Sequence, residues 1–248
     1  MPTKWNECEL VSFKEIAPQT RLFTFKLLGD DVFSFKAGQF ITFDLPVHEK
    51  RLYRWKSYSL ANAPDNTNHF ELCIVKNEGG LGTTYLFDQI IIGDKLKFKG
   101  PEGSFILPEN NAKTLCFICT GTGIAPFRSM LWDICQNSVK PATIRVIFGT
   151  RKLENVLFLD EWRELIELLP DFQVHIALSR DEKLPLIKEK NIFLYKGYVH
   201  QIYQHQKLFD VKEPIFYLCG WRNMIDEAQK NLLNLGFPSS HIQTELYG

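Results

Sequence analysis

The stretch Thr120-Gly-Thr-Gly-Ile-Ala-Pro-Phe127 directly follows the apolar run Leu115-Cys-Phe-Ile-Cys119, and this junction is the most informative part of the sequence. The run is typical of a buried strand, and residues 124–136 are predicted to form a helix. Glycines in the turn let the main chain approach a phosphate, and the free N–H groups at a helix start favour negative charge. The common dinucleotide fingerprint has a third glycine, which is absent after Gly121-Thr122-Gly123. The junction therefore predicts a phosphate-binding loop.

Composition limits the class of protein and its partners. The chain has 248 residues, 45% of them hydrophobic, which fits one large or two medium globular domains. Its 29 basic and 29 acidic residues cancel, which argues against nucleic acid or an anionic membrane as the main partner. We see no apolar signal region and no run near the ~20 apolar residues of a membrane span, so we expect a cytoplasmic protein.

The cysteines and histidines do not predict a metal centre. Cys116 and Cys119 have metal-ligand spacing, but a strand places residues i and i+3 on opposite faces. Buried thiols in a reducing cytosol are the favoured interpretation, and no group of four cysteines offers an iron–sulfur site. The histidines show no metal-ligand spacing and are expected to be structural or exposed.

The two halves of the chain differ in hydrophobic period. Up to about Leu107, short alternating runs separated by turn signals predict a small antiparallel β-barrel. Beyond the polar segment 108–113, strands alternate with helices, which predicts a parallel sheet covered by helices on both faces. We therefore expect a β-barrel domain over residues 1–110 and an α/β domain over residues 111–248. Strands are expected at 10–16, 21–27, 40–45, 69–76, 95–99, 114–119, 143–148, 173–179, 215–219 and 241–246, and later helices at about 159–169 and 222–235.

Two further motifs support a family resemblance. One is Lys56-Ser-Tyr-Ser-Leu-Ala-Asn-Ala-Pro64, and the other is Cys219-Gly-Trp-Arg-Asn-Met224. With the glycine-rich loop, they make the whole chain resemble the ferredoxin–NADP(+) reductase superfamily, which pairs an FAD-binding barrel with an NAD(P)-binding domain. The resemblance implies an FAD-dependent NAD(P)H oxidoreductase.

The resemblance implies a flavin site around Lys56-Ser57-Tyr58-Ser59. In the family, the residue matching Tyr58 packs against the isoalloxazine ring, and the residue matching Ser59 lies near flavin N5. The position of Lys56 is an arginine in the family, and a lysine offers a point charge instead of a planar fork to a diphosphate. We therefore expect FAD binding, but with a lower affinity than an arginine at this position would give. A shifted match on Arg51-Leu-Tyr-Arg54 is rejected because it lacks the following Ser-Leu-Ala.

A glycine turn precedes a short helix predicted at 84–88, and the resemblance implies that it holds the FAD pyrophosphate. A glycine turn, a hydroxyl at the helix start and the helix dipole all favour an anion, although a hairpin turn with an ordinary N-cap is the alternative. The residues concerned are Gly80, Leu81, Gly82 and Thr83. A strand whose main chain lines the ribityl and flavin edge is expected at Ile74, Val75 and Lys76.

In the second half, the resemblance assigns Thr122 and Gly123 to the NAD(P) pyrophosphate. Thr150 and Arg151 follow the next strand, where a second turn borders the nucleotide. Ser179-Arg180 ends a third strand, at the point where NADP(H)-preferring members bind the adenosine 2′-phosphate. NADP(H) is favoured over NAD(H), although some NADH-using relatives carry the same pair and a solvated arginine is the alternative.

The last two motifs are assigned to the nicotinamide. Cys219, Gly220 and Met224 match the family's Cys-Gly-x-x-x-Met, whose cysteine lies beside the nicotinamide. Glu245 and Tyr247 resemble the Glu-x-Tyr terminus of plastid-type members, in which the glutamate belongs to the nicotinamide pocket and the ring stacks on the flavin. A frayed terminus is the alternative. The candidate catalytic residues are thus Ser59, Cys219 and Glu245.

The expected reaction is hydride transfer between NAD(P)H and bound FAD, with single electrons passing between the flavin and a separate carrier. Many relatives carry a fused iron–sulfur domain that this chain lacks, so the carrier is expected to be ferredoxin, flavodoxin or an oxygenase component. A free-flavin reductase, supported by Lys56, is one alternative. A non-catalytic nucleotide-binding subunit of a larger complex is another.

Overall fold

The computed structural model describes residues 5–29, 31–108, 114–136, 141, 143–184, 189–205 and 214–247, which form two compact units. Unit 1 takes in the described residues up to Leu107 together with Ala125–Asp133, and unit 2 takes in the rest. The boundary expected after residue 110 lies outside the described residues and stays a prediction. None of the helices in the described ranges has an apolar stretch long enough to cross a bilayer.

Unit 1 is an antiparallel sheet that closes on itself. Its six strands lie in the order β4-β3-β6-β1-β2-β5. The two edges meet where Leu60 bridges Leu72 and the N–H of Ala61 donates to Glu71 O at 2.8 Å. The predicted antiparallel N-terminal fold is confirmed. Its elements are β1 Asn6–Ala17, β2 Thr20–Leu27, β3 Phe40–Asp44, α1 Arg51–Arg54, β4 Trp55–Ser59, β5 His69–Val75, α2 Leu81–Asp88 and β6 Lys95–Glu102.

Phenylalanine rings fill the interior of unit 1. Phe25 lies 5.1 Å from Phe43 and 5.6 Å from Phe70, centroid to centroid, and all three side chains are fully buried. Burial of each ring contributes about 1.5–3 kcal/mol. The alternating runs of the sequence therefore place one apolar face in this core.

Unit 2 is a six-stranded sheet in the order β10-β9-β8-β7-β11-β12, with every pair parallel. The predicted parallel α/β fold is confirmed. Val199 and Ile202 of α5, with Ile225 and Ala228 of α6, pack in one core with the sheet residue Ile147. The elements of this half of the chain are β7 Leu115–Thr120, a 3₁₀ turn Gly121–Ile124, α3 Ala125–Gln136, β8 Ile144–Thr150, α4 Leu159–Leu168, β9 Phe172–Leu178, β10 Ile192–Lys196, α5 Val199–His205, β11 Ile215–Trp221, α6 Arg222–Asn234 and β12 Ile242–Tyr247. All of them belong to unit 2 except α3, whose residues Ala125–Asp133 belong to unit 1.

Four elements were not expected from the sequence. The strands β4 and β10 and the helices α1 and α5 have weak periodic patterns because they are short and partly exposed. β4 carries the polar run Lys56-Ser-Tyr-Ser59, and β10 lies at the sheet edge with Phe193 exposed. The predicted helix at 84–88 also begins earlier, at Leu81.

Replacing His175 with phenylalanine should flatten the pH dependence of unfolding. His175 is buried and packs against the rings of Phe193 and Tyr195 on β10, and burial, then the charge of Arg145, lowers its pKa to about 4. The unfolded chain has a histidine pKa of about 6.5, so it binds more protons, and stability falls as pH drops from 6.5 towards 4. We expect the wild type to lose about 2 kcal/mol through this group between pH 7 and pH 5.

Urea titrations at the two pH values measure this loss. His48→Phe, at an exposed histidine, is the control and should keep the wild-type slope. Burial also lowers the pKa of His200, against the opposing charge of Glu227, so part of the slope should persist in His175→Phe. An unchanged slope in His175→Phe would contradict the assignment.

Candidate cofactor sites

The strand order of unit 2 reverses between β7 and β11, and both strands end in glycine turns. Ligands of open parallel sheets bind beyond the carboxyl ends of the strands at such a reversal. A Cβ at Gly123 would lie 2.4 Å from Cys219 O, and one at Gly220 would lie 2.4 Å from Thr120 Oγ1. Gly220 also has φ +141°, which disfavours any side chain. The two turns therefore pack main chain against main chain, and Thr122 stays half-buried in the first of them.

Cys219 and Glu245 come together on neighbouring strands. In the sheet register, Cys219 lies between Cys119 and Glu245, and Tyr247 hydrogen-bonds to its thiol. Burial first, then the charges of Glu245 and Cys119, raise the thiol pKa well above its usual value. Cys219 is therefore an uncharged thiol at neutral pH. Such a group can pack against a ligand and make a weak polar contact, but it is a poor nucleophile. Met224 packs over the neighbouring Gly220, since a Cβ there would lie 3.2 Å from Met224 Cε.

Arg151 and Arg180 lie on adjacent loops at the carboxyl edge of the sheet. The N–H of Arg180 donates to Arg151 O at 2.8 Å, so the two main chains run side by side. Both residues are exposed, and within the described part of the chain neither guanidinium has an ion-pair partner. Exposed guanidinium groups are chemically suited to hydrogen-bond a doubly charged anion.

Ser179 and Thr150 hold these two loops together. The N–H of Ser179 donates to Thr150 O at 3.0 Å, and its hydroxyl donates to the same oxygen at 3.3 Å. The Thr150 hydroxyl donates to Asn155 O at 3.3 Å. Asp181, which the sequence analysis did not single out, accepts from the N–H of Leu153 at 2.8 Å. Both predicted hydroxyl residues thus make loop-fixing contacts within the chain.

In unit 1, Lys56 lies across the first turn of α2. A Cβ at Gly82 would stand 2.8 Å from Lys56 Cγ and 3.3 Å from Leu45 Cδ1. The helix begins after Gly80, and its first turn holds no acidic residue. The Lys56 stem therefore packs on the first turn of α2, and the dipole of that helix favours an anion at the same turn.

The Thr83 hydroxyl is engaged within its own turn. Its Oγ1 accepts from the N–H of Asn77 at 3.1 Å and lies 3.2 Å from both Asn77 O and Gly80 O. The hydroxyl thus fastens the turn before α2. Main-chain N–H groups at the helix start, including that of exposed Leu81, are left as the donors suited to a phosphate.

Tyr58 packs against the barrel core with its ring 6.0 Å from that of Phe43, and burial raises its pKa. Ser59 ends β4 as a buried residue, whereas exposed Ser57 hydrogen-bonds to Thr42 at 2.9 Å. Tyr58 and Ser59 thus stand at the end of an edge strand and face opposite sides, and Ser57 lies on the same side as Ser59.

The outer edge of β5 lies beside the end of β4. Because Glu71 O faces Ala61, alternation directs the main-chain groups of Cys73 and Val75 to that same edge. Ile74 is a core residue, and the N–H of Lys76 donates to Gln19 O at 2.7 Å. Of the three residues predicted to line the flavin edge, Val75 is the one whose main-chain N–H and C=O point to the outer edge of β5. The Lys76 ammonium contacts both carboxylate oxygens of Asp88 at 2.7 Å.

Two further residues were missed by the sequence analysis. Arg128 contacts residues 57 and 67 positions away in sequence, a separation that no local pattern reveals. Trp221 stands 57% exposed at the end of β11, and its N–H donates to Thr120 Oγ1 at 3.5 Å. The sequence signal available for Trp221 was its position directly after Cys219-Gly220.

A closed antiparallel barrel is joined to a parallel sheet with a glycine-lined reversal, and family models assign the chain to the oxidoreductases that bind FAD and a nicotinamide nucleotide. Residues 7–106 match the family model described as oxidoreductase FAD-binding domain, and residues 117–230 match that of the oxidoreductase NAD-binding domain. The chain belongs to the ferredoxin–NADP(+) reductase superfamily.

Three relatives show the range of this similarity. Ferredoxin–NADP reductase B of Sorangium cellulosum (strain So ce56) is 28% identical over 243 residues, 97% of either chain. The reductase component of propane 2-monooxygenase from Rhodococcus jostii (strain RHA1) is 29% identical over 210 residues, 85% of this chain and 55% of the relative. A ferredoxin NADP+ reductase from Neisseria gonorrhoeae, solved with FAD and NADP, is 22% identical with a TM-score of 0.80 and 98% of both chains covered.

Proposed function

We propose that the protein is a ferredoxin– or flavodoxin–NADP(+) reductase, which transfers hydride between NADPH and bound FAD and exchanges single electrons with a carrier protein. The observation that carries the proposal is the packing of Gly123 on Cys219 O at the strand reversal. Because Gly123 has no side chain, the turn between β7 and α3 packs directly on β11, and such a strand–turn–helix junction suits a pyrophosphate, in a chain whose other half matches an FAD-binding domain.

The residues of unit 1 fit FAD. Lys56 and the first turn of α2 would hold the diphosphate, and Tyr58 would lie against the ring. The outer edge of β5 at Val75 offers main-chain donors and acceptors to the ring edge, and Ser59 offers a hydroxyl near N5. When bound, FAD supplies the redox chemistry, and the protein supplies placement and electrostatics.

The residues of unit 2 fit the nicotinamide nucleotide. Thr122 and Gly123 would receive the pyrophosphate, and Cys219, Gly220 and Glu245 would border the nicotinamide. The neutral thiol of Cys219 presents no charge to the ring. Tyr247, bonded to that thiol, would close the same side. Orienting the nicotinamide in advance lowers the barrier by reducing the entropy lost on reaction.

Arg151 and Arg180 support NADPH as the coenzyme. The 2′-phosphate of NADPH is a dianion, and two guanidinium groups on adjacent exposed loops match its charge. NADH carries no phosphate there and would leave both arginines without a ligand. The exposure of both side chains supports a surface subsite for the adenosine end.

The electron partner is proposed from the relatives. The Sorangium relative is named a ferredoxin–NADP reductase. The Rhodococcus relative is the reductase component of a monooxygenase, so service to an oxygenase component is the alternative function. Cys8, Cys116, Cys119 and Cys219 are buried thiols, which suits the reducing cytoplasm in which we place the protein.

Stopped-flow reduction of the purified protein tests the proposal. We expect FAD to stay bound through desalting and its visible absorbance to bleach rapidly on mixing with NADPH, at a rate more than tenfold that with NADH. Equal rates would remove NADPH preference. Flavin that dissociates on desalting yet is reduced when added back would favour a free-flavin reductase, and no reduction by either nucleotide would exclude the enzyme.

Changing Lys56 to arginine should tighten FAD binding by about tenfold. A guanidinium grips a diphosphate with two parallel hydrogen bonds, whereas the ammonium acts as a point charge, and one added charge-assisted bond contributes about 1.5 kcal/mol. Fluorescence titration of the flavin-free protein with FAD measures the dissociation constant. Lys99→Arg, at a partly buried lysine paired with Glu102, is the control and should leave it unchanged. Equal affinity in both variants would remove Lys56 from the diphosphate site.

A further inference from the structure

Arg128 joins two segments of unit 1 that flank the proposed flavin residues. Its Nη1 donates to Ala61 O at 2.8 Å and to Glu71 Oε2 at 2.7 Å. The side chain is only 11% exposed, so water screens neither contact strongly. Ala61 stands two residues after Ser59, and Glu71 lies on β5.

The same segment is fixed at three more points. The Ser129 hydroxyl donates to Asn62 O at 2.6 Å, and Asn62 Oδ1 accepts from the N–H of Glu71 at 2.8 Å. The N–H of Leu60 donates to Gln39 O at 2.9 Å. Two consecutive carbonyls, of Ala61 and Asn62, are thus held by neighbouring side chains of α3.

These contacts lie where the barrel closes. The edges of β4 and β5 meet at the Leu60–Leu72 bridge, and Ala61 adds one hydrogen bond to Glu71. With so few ladder bonds at this closure, the direction of the chain leaving Ser59 depends on what holds residues 60–62. Arg128 supplies a charged donor to that segment and an ion pair to the opposite edge.

We propose that Arg128 is a positioning residue that sets the place of Ser59 and Tyr58 towards the flavin. This inference rests on the proposed flavin site. The guanidinium does not act on the cofactor. It holds Ala61 O to the Glu71 carboxylate, so β4 and β5 keep a fixed separation at the end where the ring would bind.

A matched pair of substitutions tests this role in the full-length protein. Arg128→Met keeps the side-chain stem and removes the donor. Arg145→Met is the control: Arg145 is 10% exposed, donates to Asp171 O at 2.7 Å and pairs with the Asp171 carboxylate at 3.0 Å, all within unit 2. Both variants lose a charge, an ion pair and at least one carbonyl contact, and Arg145 also donates to Ile144 O at 3.1 Å, so the general loss of stability in the control should be no smaller.

We expect Arg128→Met to change the visible circular dichroism of bound FAD, to weaken FAD affinity several-fold and to slow flavin reduction by about tenfold. Arg145→Met should match the wild type in all three measurements. Because Nη1 alone makes the contacts to Ala61 O and Glu71 Oε2, the single ammonium of Arg128→Lys should restore part of the rate and of the dichroism. If Arg128→Met does not fold, Arg128→Lys and Glu71→Gln provide the decisive measurements.

The outcomes separate this inference from the proposed function. Wild-type dichroism, affinity and rate in Arg128→Met, or equal changes in Arg145→Met, would overturn the positioning role while leaving the flavin site intact. A wild-type protein that binds no flavin would instead overturn the proposed function, and the inference with it.

Discussion

Replacing Arg151 and Arg180 together with alanine should raise the KM for NADPH by about 100-fold and leave the KM for NADH almost unchanged. Each exposed guanidinium contributes about 1.4 kcal/mol to a phosphate contact, and each such increment is a factor of ten in affinity. The two loops are joined through main-chain bonds, so removing the side chains should not displace them. Steady-state kinetics with both nucleotides measures the change in preference.

The salt dependence gives an independent check. Added salt should weaken NADPH binding to the wild type and affect the double variant much less, because the charges are exposed and screened. Arg163→Ala, at an exposed arginine paired with Asp160 and Glu189, is the control and should behave as the wild type. An equal rise in the KM for NADPH and the KM for NADH would show that the substitutions distort the loops and that the arginines do not bind the 2′-phosphate.

Gly123→Ala should reduce nucleotide affinity by 100-fold or more and destabilise unit 2. The added Cβ would lie 2.4 Å from Cys219 O, 2.7 Å from Cys219 C and 2.9 Å from Gly220 Cα. All three are main-chain atoms of β11, so relief requires the strand or the turn to move. Either movement displaces the N–H groups that would receive the pyrophosphate. Calorimetric titration with NADP(+) and thermal denaturation measure the two effects.

Gly236→Ala is the control that separates the steric clash at Gly123 from the backbone strain of placing alanine at a positive φ. Gly236 has φ +91° in the turn after α6, and a Cβ there would contact nothing within 4 Å. Its replacement should cost about 1 kcal/mol of stability through backbone strain alone and leave nucleotide binding intact. Nucleotide affinity in Gly123→Ala equal to that of Gly236→Ala would mean that the turn yields freely and does not form the binding loop.

The sequence predicted those parts of the fold that local patterns determine. The continuous apolar run of β7 and the periodic helices α4 and α6 appear within two residues of the predicted bounds. The glycine turns at Gly123 and Gly220 also signalled their position, because a glycine after a buried strand marks a close main-chain approach. The motif residues stay predictions as ligands, although Cys219, Glu245 and Tyr247 are brought together in one register.

The remaining features depend on contacts between distant segments. Arg128 had no local signal, since its partners are set by closure of the barrel and not by the helix that carries it. The engagement of the Thr83 hydroxyl within its own turn could not be read from residue type, because a threonine before a helix suits both a loop bond and a ligand. Short edge elements such as β10 lack enough buried positions to show a period.

The uncharged state of Cys219 has a practical consequence for chemical labelling. Alkylating reagents attack thiolates, so a sealed and neutral sulfur in β11 resists them while the sheet is intact. The Cys219 thiol therefore reacts only when β11 opens locally, and its labelling rate measures how often unit 2 opens.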